Sequence, residues 1–100
     1  MRPGLLDRRR RTERQLFEVN ERLLKARAEL EVIDAQLAEL SDQADEAKIR
    51  AVVAETPLAE QEWSEAHRHA EQMAKTREAA RRKIAELERT QDELIGKLVN

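Results

Sequence analysis

Leucine and its small apolar stand-ins recur at alternating steps of three and four residues from Leu16 to Ala54 without a break. The run passes through Leu16, Val19, Leu23, Ala26, Leu30, Ile33, Leu37 and Leu40, then Ala44, Ala47, Ala51 and Ala54, and so forms the a/d seam of a heptad repeat. Such a spacing gathers every apolar side chain into one narrow helical stripe, whereas a strand would need a period of two. After Pro57 the pattern resumes as Ala59, Trp63, Ala66, Ala70, Met73, Arg77, Ala80, Ile84, Leu87, Gln91, Leu94 and Leu98, with only Arg77 and Gln91 polar. The sequence therefore predicts two long helices, about 9–53 and 57–99, preceded by a flexible basic arm over residues 1–8. The first helix is expected to begin near Arg9 to Thr12.

The break between the helices is written in Thr56-Pro57. A threonine can cap the orphan N–H groups of a helix start, and a proline is tolerated in the first turn because its missing donor would have no partner there. Proline also pushes the preceding residue out of helical geometry. A chain reversal between Val53 and Thr56 makes the helices antiparallel neighbours, giving an all-α, antiparallel two-helix coiled-coil hairpin expected to dimerise into a helical bundle. Facing a against d then layers Leu16 with Leu94, Leu23 with Leu87, Leu30 with Ala80, Leu37 with Met73 and Ala51 with Ala59. In this register Glu29 approaches Lys83, Lys48 approaches Glu60 and Arg50 approaches Glu62. A slip of one heptad pairs Arg27 with Glu88 and Asp34 with Arg81 but buries the Pro57 cap in the turn. The cap outweighs such exposed pairs, each worth a few tenths of a kcal/mol, roughly.

Composition excludes the other classes. With 40% charged residues, two glycines and a mean hydropathy of −0.81, the chain cannot enclose a broad globular core, while its strict apolar period argues against disorder. The 19 Lys+Arg against 21 Asp+Glu leave a net charge of −2, so any binding of polyanions must be local. Cysteine is absent, which removes disulfides, thiolate catalysis and cysteine-based metal sites and fits a cytoplasmic protein. Leu5-Leu6 is the only apolar pair before the arginines, too short for a signal peptide or a membrane span. The abundance of arginine and alanine points to a GC-rich bacterial genome.

Several apolar residues fall off the seam. Phe17, Leu24, Ile95 and Val99 come together at the open end when the helices fold back, and Ile49, Val52, Val53 and Leu58 do so at the turn, near Trp63. Clustering at both ends predicts a subunit or partner contact, met most simply by a homodimer forming a four-helix bundle, with an unidentified protein as further partner. Trp63 on the seam fills space left by alanines or anchors a partner.

Sites for chemistry are few. His67 and His69 are two positions apart and point to nearly opposite sides of a helix, so they read as solvated surface residues; no cofactor, metal or catalytic residue is expected. Arg77 and Gln91 interrupt the second seam, where polar residues fix register or oligomeric state. The block Arg8, Arg9, Arg10 and Arg11, with Arg2 and Arg14, reads first as a solvated, helix-initiating arm and second as a contact for nucleic-acid or headgroup phosphates.

Three resemblances accompany these readings. Asp42-Gln-Ala-Asp45-Glu-Ala47 resembles the D-x-x-D-x-A pattern at the coiled-coil tip of DksA/TraR-type factors, which reach into the RNA polymerase secondary channel. That resemblance would make Asp42 and Asp45 the acidic tip residues and Ala47 their small companion, although the zinc-binding cysteines of that family are missing. Arg14 to Arg27 resembles the first helix of AroQ-type chorismate mutases, without the later substrate contacts. The second half, from Ala51 to Leu98, resembles short coiled-coil proteins of actinobacteria, which implies the fold and no activity. The expected function is a non-enzymatic coiled-coil interaction or scaffolding module, with polymerase binding as the alternative and nucleic-acid binding third.

Overall fold

The computed structural model describes residues 4–99, which form a helical hairpin of two helices, α1 (Leu5–Ala54) and α2 (Pro57–Val99). The helix α1 begins one turn before the expected Arg9 to Thr12, so Leu5 to Arg8 are helical; residues 1–3 of the expected arm, with Arg2, lie outside the described residues. The early start has a local cause. The Gly4 carbonyl accepts from the N–H groups of Asp7 and Arg8, at 3.1 and 3.4 Å, and Asp7 places a carboxylate in the first turn, where the helix dipole favours it.

The reversal falls on Glu55 and Thr56. Glu55 takes a left-handed conformation, φ 51°, while its N–H donates to the Ala51 carbonyl at 3.1 Å, which ends α1 in the single-bond left-handed cap. Thr56 Oγ1 accepts from the Ala59 N–H at 3.2 Å, so the threonine caps α2 and Pro57 is its first helical residue, as the sequence predicts.

Two compact units divide the hairpin. One joins α1 through Ala28 to α2 from Arg81 onward. Its core is Val19, Leu23 and Leu94, with Leu16, Ile84 and Leu87 packed against them. Gln91 Nε2 donates to Asn20 Oδ1 at 2.8 Å across the helix pair, and Arg27 Nη2 lies 3.7 Å from Glu88 Oε2. The other unit, Glu29–Ala80, contains the reversal. Its buried residues Ala44, Ala47, Ala51 and Ala59 are all alanines, while Leu30, Ile33, Leu37, Leu40 and Met73 are only half-buried. Arg77 Nε donates to Asp34 Oδ1, and Lys48 Nζ stands 5.9 Å from the Trp63 ring centroid.

These contacts fix the register. Within each unit the partners run in opposite directions, and the three links Asn20–Gln91, Asp34–Arg77 and Lys48–Trp63 recur every fourteen residues of α1. Each sets a heptad e residue of α1 on an a residue of α2. A one-heptad slip would bring Arg77 against Arg27 or Ser41 and Asn20 against Ile84 or Leu98, leaving seam polar groups without partners. The register is thus the one that keeps the Pro57 cap at the turn. Arg27–Glu88, which belonged to the slipped alternative, forms in the unslipped register because two long side chains reach one turn along the pair. Lys48 lies over Trp63 and makes no ion pair with Glu60, and Arg50 makes none with Glu62: a broad ring on the seam offers Lys48 a nearer partner.

Candidate interaction surface

The seam reading holds for every a and d position from Leu16 onward except Ala54, which the end of α1 leaves exposed. What a two-helix seam cannot do is cover broad side chains from more than one direction. Hence Leu23 is the only large residue fully buried among the described residues, and most seam leucines remain half-open. In the second unit an open groove of about 460 Å³ runs over Leu40 and Met73, bordered by Ala35, Gln36 and Glu39.

Outside the seam, all four open-end candidates are exposed, Phe17 at 64%, Leu24 at 68%, Ile95 at 42% and Val99 at 75%. Phe17 is ringed by Arg10, Glu13, Arg14, Glu18 and Glu21, so its ring stands among charges in a shallow depression. Ile49, Val52, Val53 and Leu58 are likewise exposed in the unit that holds the reversal. Trp63 is half-buried on the seam, between Lys48 and the His67 ring, whose centroid is 6.0 Å away. Three further exposed apolar residues escape a search for end clusters. Val32 lies mid-helix on the far side of the seam, and Leu5 and Leu6 lie in the first turn of α1. The signal for Val32 was present in the sequence, but only in a heptad column read along the outer face of α1.

The charged candidates are also placed. Arg8 to Arg11 lie within α1; Arg9 Nε reaches Glu13 Oε1 at 3.2 Å, and Arg8 and Arg11 line an open cleft of about 630 Å³ with Gln15, Lys97 and Leu98. Asp42 and Asp45 are exposed on α1, whereas Ala44 and Ala47 are buried on its seam. The D-x-x-D-x-A segment is therefore on the flank of a continuous helix, and the reversal lies at Glu55 and Thr56. His67 Nε2 meets Glu71 Oε1 at 2.9 Å, one helical turn on, and His69 is exposed. Among the described residues no three His, Cys, Asp or Glu side chains converge to hold a metal ion, and no helix is long and apolar enough to cross a membrane.

Register-setting residues are the part of this surface the sequence named only by half. Arg77 and Gln91 were legible as interruptions of an apolar seam. Their partners Asp34 and Asn20 were not, because polar residues at e positions are ordinary in any solvated helix. Comparison of the chain with protein-family models, curated proteins and solved structures finds no match.

Proposed function

We propose that this chain is a non-enzymatic coiled-coil interaction or scaffolding module that self-associates and binds a protein partner. The observation that carries the reading is the amount of apolar surface left in water. Eleven large hydrophobic side chains are exposed, whereas only three residues larger than alanine are buried among the described residues. The accessible surface of 8072 Å² compares with roughly 5,800 Å² expected for a compact monomer of 11.6 kDa. At about 25 cal/mol per Å², covering even a few of these side chains contributes several kcal/mol, enough to favour assembly over isolated hairpins.

A scaffold of this kind presents faces and carries no reactive centre. The polar groups of its seam are engaged with each other, Asp34 with Arg77 and Asn20 with Gln91, which supports a role in register and against one in chemistry. Capture from a lysate of the native host, using the tagged chain as bait, tests the reading. A protein retained by the native sequence and lost with Phe17→Ser/Leu24→Ser is the expected result. Retention of nothing at all, the untagged chain included, would overturn it.

A further inference from the structure

We propose that a second copy of this chain docks along the outer face of α1, antiparallel and offset, so that the arginines of residues 8–14 in each copy meet the acidic stretch 29–46 of the other. The inference rests on the self-association proposed above and names its surface.

The two helices differ on the side away from their shared seam. On α1, the twelve b and f heptad positions from Arg14 to Val52 carry seven exposed apolar residues, Phe17, Leu24, Ala28, Ala35, Ala38, Ile49 and Val52, with Arg14, Glu21, Glu31, Asp42 and Asp45 set among them. On α2, the f positions are Gln61, Arg68, Lys75, Arg82, Arg89 and Gly96, none of them a large apolar residue. Only α1 therefore offers an apolar stripe on both sides, as a helix does when it lies between two neighbours.

Charge along α1 is segregated. Residues 8–14 hold five arginines and one acid, Glu13. Residues 29–46 hold seven acids and neither lysine nor arginine. Within the hairpin much of this charge goes unanswered: Arg8, Arg10, Arg11 and Arg14 make no ion pair among the described residues, and neither do Glu31, Asp42, Asp45 and Glu46. Both signs stand exposed on one helix.

These observations select the occupant. A second α1 laid parallel, or antiparallel and centred on the acidic stretch, would set acid against acid. An antiparallel offset about a two-fold near Ala28 instead sets the arginines of each copy on the acids of the other, twice. The same offset sets Phe17 beside Ala38, opposite Glu39, and Leu24 opposite Val32, with Ala28 and Ala35 one turn to either side. The face is self-complementary in sign, Arg10, Arg11 and Arg14 meeting Glu46, Asp45 and Asp42, which is the condition for an isologous dimer.

Reciprocal charge reversal tests this. One variant carries Arg10→Glu/Arg11→Glu/Arg14→Glu and the other Asp42→Lys/Asp45→Lys/Glu46→Lys; all six sites are exposed and off the seam, and circular dichroism checks that each hairpin folds. Sedimentation equilibrium is expected to show self-association weakened at least about tenfold in either variant alone and restored when the two are mixed in equal amounts, because the reversed arginine segment then meets the reversed acidic one. Should a reversal unfold the chain, neutralising sets with Gln and Asn at the same sites are expected to weaken association and to flatten its dependence on salt. Dimers that survive both reversals, or a mixture that fails to reassociate, would overturn the assigned face while leaving self-association standing. A monomeric native chain would overturn both.

Discussion

Arg77 donates from Nε to the Asp34 carboxylate across the helix pair, filling an a position of α2 with a charge that an e residue of α1 answers. The pair is the middle one of three such links, between Asn20–Gln91 and Lys48–Trp63. An arginine on a seam weakens packing but fixes which turn of one helix faces which turn of the other. Breaking it by Asp34→Ala or Arg77→Ala should therefore cost only about 1 kcal/mol, and a double-mutant cycle should return a coupling of roughly 0.5–1 kcal/mol, since both side chains are partly solvated. Arg77→Leu should raise the thermal midpoint while broadening the distribution of spin-label distances between the helices.

Adjacent leucines should behave oppositely. Leu23 is 1% exposed in the core and Leu24 is 68% exposed. Leu23→Ala is expected to cost roughly 2–3 kcal/mol in urea unfolding, the low end for core leucines because a two-helix seam relaxes around the cavity. At concentrations low enough to hold the chain monomeric, Leu24→Ala should stay within about 0.5 kcal/mol of the native chain.

How much of this could be read from sequence follows from the same residues. The seam, the Thr56 cap, the place of the reversal and the register all rest on local rules of period and capping, and each is where those rules put it. The apolar run begins at Leu16 and gives no sign of the first turns of α1, which start on local bonds to the Gly4 carbonyl with Leu5 left exposed. Ion pairs were the least legible. Lys48 had Glu60 within reach on paper and lies over Trp63, since long exposed side chains choose among partners of nearly equal energy.

The turn offers a test in both directions. Thr56→Ala removes the acceptor of the Ala59 N–H and should cost about 1 kcal/mol. Glu55→Gly should stabilise by up to about 1 kcal/mol, because glycine takes the left-handed conformation at φ 51° without the steric cost that a side chain bears. Glu55→Val, β-branched at the same position, should lower the melting temperature.

Asp42 and Asp45 on the flank of α1 bear on the resemblance to polymerase secondary-channel factors. Purified bacterial RNA polymerase is expected to pass over the immobilised chain unretained. Retention that disappears with Asp42→Asn/Asp45→Asn would restore that reading.

Because a two-helix seam leaves its leucines half-open and the outer face of α1 carries further exposed apolar residues, the chain should not remain alone in solution. Sedimentation equilibrium of the native chain at micromolar concentration measures this directly. The account predicts twice the 11.6 kDa chain mass, declining toward the monomer as salt screens the charges between copies. A mass of 11.6 kDa throughout, at low salt and high concentration alike, would contradict it.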